Sequence, residues 1–280
     1  MSMKPGTLYV VATPIGNLGD LSPRAIEVLQ RVDLIAAEDT RHSQHLLSHF
    51  AIRTPMSAYH DHNESHQTHV LIEKLRAGAN IALVSDAGTP LLSDPGYRLL
   101  NAAHENGIKV SPVPGPCAAI SALSVAGLAT DRFLFAGFTP SRSTARKQFY
   151  KELAAESATL VFYESSHRIV ESLNDMREVL GEQRLVLLAR EISKTFETLH
   201  RAEIGALCAW VQADSNQQKG EFVLVVQGAV TSLATVLDVT AVLAILLEEL
   251  PLKQASALAA KITGEKKNKV YKMALELHPE

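Results

Sequence analysis

Two glycine-rich stretches, TPIGNLGDLS at 13–22 and SDAGTPLLSDPG at 85–96, are the segments of this chain best suited to hold a small molecule. Glycine puts no Cβ between the backbone N–H and C=O groups and an approaching ligand. Two nucleotide signatures are excluded by spacing: G-x-x-x-x-G-K-[ST] is absent, and Gly16 and Gly19 do not complete G-x-G-x-x-G. Either loop alone is explained by turn chemistry, but a pair this dense in Gly and Pro argues for a pocket. AEDTR at 37–41 adds Glu38, Asp39 and Arg41, and REISKTFE at 190–197 adds Arg190, Glu191 and Lys194. Such groups serve acid–base chemistry or, with no chemistry at all, salt bridges between domains. His60, His62, His66 and His69 fall within ten residues, beside Asp61 and Glu64. They match no standard zinc spacing, so HDHNE reads as a polar substrate-side loop and no metal is expected.

These residues need elements to position them. Each glycine loop follows a short apolar run, 8–12 or 81–84, that reads as a buried strand. Each leads into a helix whose start is expected at Ser22-Pro23 or Asp94-Pro95, as N-cap and first-position pairs. Strands are expected at 8–12, 33–37, 56–60, 80–85 and 108–113, and helices at 22–31, 41–49, 66–77, 95–106 and 116–126. Five such alternations predict a largely parallel sheet covered on both faces. GLATDR at 127–132 breaks the pattern and marks a domain boundary.

A second alternation places strands at 133–138, 159–164, 184–190, 195–202 and 221–227. Ile169, Leu173, Met176 and Leu180 form one face of a helix after the second of these. The last two strands read as a hairpin or meander without a long helix between them, giving a mixed sheet. From about 235 the texture is helical only, at 236–249, 252–263 and 267–277, with Pro251 and a C-cap Gly264 as breaks. Expected domains are therefore 1–127, 131–229 and 235–280, two α/β domains and a helical module. Lys266, Lys267, Lys269 and Lys272 make the third helix basic, which suits a helix-turn-helix grip on nucleic acid or, equally, a dimerisation extension with a solvated lysine face.

Composition excludes other classes. The 280 residues are 46% hydrophobic and 20% charged with net charge −3, so nucleic acid cannot be held by bulk charge and needs local patches. Two distant cysteines, Cys117 and Cys208, fit a reduced, cytoplasmic setting. The apolar run at 241–247 is too short to cross a bilayer.

The two loops, together with AEDTR, VPGPCAA at 113–119, FYESSHR at 162–168, REISKTFE and KGEFVLVV at 219–226, occur in an order that resembles the ribosomal RNA small subunit methyltransferase I family, within the tetrapyrrole methylase superfamily. The resemblance covers residues 6–228, and the tail also resembles that family's C-terminal module. It implies an S-adenosylmethionine pocket between two α/β domains, 2′-O-methylation of a cytidine in 16S ribosomal RNA or the small subunit, and a homodimer. It assigns cofactor contacts to Pro14, Ala87, Gly88, Thr89, Leu92, Cys117, Ala118, Tyr163 and Glu164, with Asp86 heading the second loop. Tetrapyrrole members carry Gly-Asp-Pro where this chain has Gly88-Thr89-Pro90, so backbone groups and the Thr89 hydroxyl are expected to replace the acid.

Transfer from a sulfonium mainly requires alignment of the ribose hydroxyl with the methyl group, plus a base for its proton. Asp39, His60, Glu64 and Lys194 are the base candidates, and Arg41, Arg142, Arg146 and Lys147 the phosphate contacts, beside the tail lysines. A tetrapyrrole methyltransferase and a non-catalytic RNA-binding assembly factor are the alternatives; the polar segments HDHNE and SRSTARKQ disfavour a macrocycle cleft.

Overall fold

The computed structural model describes residues 4–229 and 239–277. In the first half β1 (Thr7–Val11), β2 (Leu34–Ala37), β3 (Met56–Ala58), β4 (Ile81–Val84) and β5 (Lys109–Val113) form one sheet, in the order β3-β2-β4-β1-β5. Every pairing in it is parallel, with Leu8 beside Ile81 on one side and Val110 on the other. The helices α1 (Pro23–Arg31), α2 (Thr40–His49), α3 (Glu64–Arg76) and α4 (Tyr97–Glu105) connect these strands. Strand alternation divides the core in two. Val11, Ile35, Ala37, Ala82 and Val84 face α1 and α2, whereas Leu8, Ala36, Ile81 and Leu83 face α3 and α4. The expected doubly covered parallel sheet is thus present.

The start of α1 is as expected, with the Ser22 hydroxyl accepting from the Ala25 N–H and Pro23 at the first position. That of α4 is not. It begins at Tyr97 behind Gly96, whose φ of 136° suits only glycine, and Asp94 does not cap it. Asp94 is drawn instead into a cavity described below.

The next helix, α5 (Ala118–Val125), follows β5 in the chain but packs on the second sheet. Its Ala119, Ala122 and Leu123 meet Val161, Leu187, Ala189, Val223 and Val225. By packing, the change of layer falls at Cys117, ahead of GLATDR. The second sheet contains β6 (Phe133–Phe138), β7 (Thr159–Ser165), β8 (Leu185–Arg190), β9 (Thr198–Glu203) and β10 (Glu221–Val226), ordered β6-β7-β10-β8-β9. It is mixed, as expected: β6 runs parallel to β7 and the other pairings are antiparallel. Its far face is covered by α6 (Ser143–Leu153), α7 (Ile169–Leu180) and α8 (Ile204–Ala213), around Tyr150, Phe162, Leu173, Met176 and Leu224.

One expectation is corrected. A full helix, α8, separates the last two strands, and the antiparallel hairpin is β8–β9 instead. The sequence of α8, IGALCAWVQA, is apolar almost all round, so it shows little of the one-sided periodicity that reveals a helix. Most of the polar segment SRSTARKQ lies in α6.

The chain forms two compact units, the first holding both sheets. The second holds α9 (Val239–Glu249), α10 (Leu252–Thr263) and α11 (Lys267–Leu277) together with Ala154–Ser157. Its core is Leu243, Ala255, Ala259, Val270 and Ala274. Gly264 ends α10 in the left-handed conformation expected of a C-cap. Residues 236–238, the predicted start of the first tail helix, lie outside the described residues.

Candidate active site

The ends of the parallel strands carry a cavity of about 440 Å³, within the size range of small-molecule sites. Ile15 of the first loop, Glu38 after β2 and the loop Asp86–Asp94 after β4 form one side. Phe138, Tyr163, Glu164 and Phe222 of the second sheet, with Ile192 from the loop after β8, form the other. The loops are stitched together. Thr13 and Gly88 exchange both backbone hydrogen bonds, at 2.8 and 3.0 Å, and the buried Thr13 hydroxyl donates to the Ser85 carbonyl. The Thr89 hydroxyl donates to the Pro116 carbonyl at 3.0 Å, tying the second loop to the third. Thr89 thus braces the pocket it lines, and the Gly88 peptide does the same.

The acids of this cavity come from elsewhere. The Asp86 carboxylate accepts from the Asp39 N–H at 3.0 Å, and the Asp86 N–H donates to Glu38 at 3.4 Å. Burial pushes the Glu38 carboxyl above the usual range, against the Asp86 N–H, and neighbouring Asp94, Asp86 and Asp61 add to the rise. Burial raises Asp94 likewise, opposed by a Ser85 hydrogen bond and reinforced by Asp86 and Asp61. Tyr163 is pushed up to about 12, mainly by burial, and its hydroxyl accepts from the Ala119 N–H.

Backbone strain gathers here. Leu91 (φ 76°) and Ser93 (φ 69°) lie in the second loop; Glu191 (φ 52°) and Ser193 (φ 67°) lie in REISKTFE. Non-glycine residues adopt this region only when their surroundings enforce it, and such positions concentrate at functional sites. The loop after β8 is anchored across to the first loop, since the Ser193 hydroxyl bonds the Asp20 carboxylate. A Cβ on Gly16 would lie 2.3 Å from Lys194 Cγ, so the lysine stem rests on that glycine.

Of the ten expected cofactor residues, Asp86, Ala87, Gly88, Thr89, Leu92, Ala118, Tyr163 and Glu164 line this cavity. Glu164 is already engaged by Thr139, the Ser165 N–H and Arg168. Cys117 stands just outside, as N-cap of α5. Pro14 lines a separate cavity of about 330 Å³ with Leu18, His42, His45, Leu46 and Asp86. Glu38 and Asp94 lie within the quoted motifs, yet only burial marks them as pocket acids.

None of the four base candidates lines either cavity. Asp39 caps α2 and is held at about 2, chiefly by its hydrogen bonds from the Arg41 side chain and N–H. Burial works to lower the Lys194 pKa, but hydrogen bonds to Glu191 (2.9 Å) and Glu221 (3.0 Å) prevail and raise it, so the ammonium stays charged. Glu64 pairs with Arg98 at 2.7 Å. The His60 backbone N–H donates to Asn63 Oδ1, and its ring Nδ1 is buried without a partner among the described residues.

The expected RNA contacts also separate. Arg41 is 91% exposed beside Asp39, and Arg142 is exposed. Arg146 is withdrawn from any phosphate: it is 0% exposed, 2.7 Å from Asp175, and donates to the Pro140 and Ser141 carbonyls. Lys147 is half-buried and pairs with Glu178 at 2.5 Å. All four tail lysines are exposed, with Lys269 paired to Glu265. Salt bridging between the sheets by the two charged motifs is not found among the described residues: Glu191 and Lys194 pair with each other and Glu221, and Arg190 donates to Lys219, Phe196 and Thr198.

No three His, Cys, Asp or Glu side chains converge as metal ligands among the described residues, and no described helix is long and apolar enough to cross a membrane.

Comparison with known proteins accords with this geometry. Residues 7–208 match the family described as Tetrapyrrole (Corrin/Porphyrin) Methylases, and residues 234–278 match the RsmI C-terminal HTH domain. A crystal structure of uroporphyrin-III-C-methyltransferase from Thermus thermophilus shares the fold, with TM-score 0.56 and 21% identity over 79% of this chain and 94% of that one. Ribosomal RNA small subunit methyltransferase I of Escherichia coli O157:H7 is 57% identical over 97% of this chain and 95% of its own. Its counterpart in Haemophilus influenzae is 53% identical over 96% of each. A braced, acid-walled cavity in a methylase fold, continued by the matching C-terminal module, therefore has a family: the chain belongs to the ribosomal RNA small subunit methyltransferase I family and is an S-adenosylmethionine-dependent methyltransferase.

Proposed function

We propose that the enzyme methylates the ribose 2′-hydroxyl of a cytidine in 16S ribosomal RNA, free or in the small subunit. The observation that carries the substrate is identity above 50%, over nearly the whole chain, with relatives named for ribosomal RNA. The 21% likeness to a porphyrin enzyme carries the fold alone.

The cavity suits the donor. S-adenosylmethionine bears a sulfonium and an ammonium, and Glu38, Asp86 and Asp94 supply a negative wall, while Ile15, Leu92 and Ile192 supply apolar surface. Bound there, it supplies an activated methyl group. The chain's own task is to exclude water, hold the ribose oxygen in line and accept its proton. Carboxyls raised by burial, Glu38 and Asp94, accept a proton at neutral pH better than Asp39, whose pKa is about 2.

Homodimerisation is supported by exposed apolar side chains on α5 and β6, Ile120, Val125, Phe133 and Leu134. A cytoplasmic setting accords with the ribosomal RNA reading. The test of the reading is methyl incorporation from labelled donor into ribosomal RNA, small subunits or a tetrapyrrole. We expect label in the RNA or subunits; label in the tetrapyrrole alone would refute it.

A further inference from the structure

The second cavity, of about 330 Å³, lies between the first glycine loop and α2. Ser43 and Ser85 are buried at its floor, Pro14 and Leu46 are half-buried, and Leu18, His42 and His45 are exposed at its mouth. His42 and His45 are one turn apart on α2, so both imidazoles lie on the same helix face. Among the described residues, Asp86 alone is common to its wall and that of the donor cavity. Among the described residues its carboxylate takes one hydrogen bond, from the Asp39 N–H through Oδ1.

We infer that this second cavity seats the target nucleotide, with the ribose hydroxyl against Asp86 and the base toward His42, His45 and Leu18. The inference rests on the RNA reading above and adds where the acceptor binds. The reacting hydroxyl must reach the donor cavity, and the shared wall is where a group in one cavity comes nearest the other. Asp86 offers a carboxylate there, which orients the hydroxyl by accepting its hydrogen bond until the proton passes to Glu38 or Asp94 in the same cavity. The other end pairs two imidazoles with the Leu18 side chain and suits a planar ring, since unstacked bases are held by stacking on aromatic and apolar side chains. Arg41, adjacent to His42 and 91% exposed, stands where a flanking phosphate would run. The size and the polar floor fit one nucleoside; a duplex would not enter, so the target must leave its stack.

The test uses the full-length protein. In the double variant His42→Ala, His45→Ala we expect the RNA concentration for half-maximal rate to rise about tenfold or more, the scale of one lost base stack. Donor affinity, read by calorimetry, should stay within about twofold, because neither histidine lines the donor cavity. A wild-type half-maximal RNA concentration in this variant would overturn the inference and leave the proposed function standing. Independently of turnover, cytidine 5′-monophosphate titrated into wild-type protein holding S-adenosylhomocysteine should shift the His42 and His45 imidazole resonances but not those of His104 or His167. Equal shifts at all four, or none at His42 and His45, would overturn it. That measurement decides the cavity's role even if wild-type enzyme were found to methylate no RNA.

Discussion

Glu38 and Asp94 stand in the wall of the cavity proposed to hold the donor, and both are held above the ordinary carboxylate range by burial. A cationic donor favours their ionised forms, so its binding at mildly acidic pH should release protons and tighten as pH rises. Calorimetry in buffers of different ionisation heat should show this release, reduced in Glu38→Gln. Uptake, or no proton exchange, would contradict the cavity's charge. The stability sign follows from the raised folded-state pKa. These two groups favour the folded protein at acidic pH, and that contribution is lost as pH rises through their elevated values. Arg146 illustrates the opposite case, a charge used for structure. Removing it leaves Asp175 buried without its main partner, so Arg146→Ala should lose about 3–5 kcal/mol in denaturant melts. RNA affinity of the protein that remains folded should be unchanged. Position in the chain pointed to a phosphate contact, because a basic residue in SRSTARKQ looks solvent-bound until Asp175 of α7 is brought against it. Likewise Asp94 beside Pro95 has the look of an N-cap, and only tertiary burial makes it a pocket acid.

At the scale of elements, the parallel βα repeats were legible to within a few residues because each strand is a short apolar run and each helix has a polar face. Two helices were not. α8 is too uniformly apolar, and α6 buries Arg146 and Tyr150 in place of an apolar face. The loop at 86–92 was legible from Gly88 and Pro90, but the strained Leu91 and Ser93 carry no local signal. Gly88 has φ 82°, and a Cβ there would meet Ile15 Cγ2 at 3.3 Å. Gly88→Ala should therefore cost roughly 1–2 kcal/mol of stability from the left-handed backbone. It should also weaken donor binding, because the Thr13–Gly88 pairing that sets the loop would shift. Undiminished donor affinity, with the melt lowered as stated, would show that this loop braces the fold without shaping the site.

For the molecule as a whole, a first unit carries the cavity proposed to hold the donor and a second carries the exposed lysines Lys266, Lys267, Lys269 and Lys272 in a chain of net charge −3. If the lysines neutralise phosphates, RNA binding should weaken with salt at a logarithmic slope near −0.7 per phosphate for single strands. Replacing all four with Ala should flatten that slope and raise KM while leaving kcat nearly unchanged. Unaltered salt dependence with loss of dimer in sedimentation would assign the module to assembly instead. The most direct measurement for the enzyme is where its methyl group goes. Small subunits or 16S ribosomal RNA methylated in vitro with isotope-labelled S-adenosylmethionine can be digested to nucleosides and analysed by mass spectrometry. Label is expected on the ribose of cytidine, abolished when the target nucleotide is deoxy. Label on a base, or none on RNA at all, would contradict it.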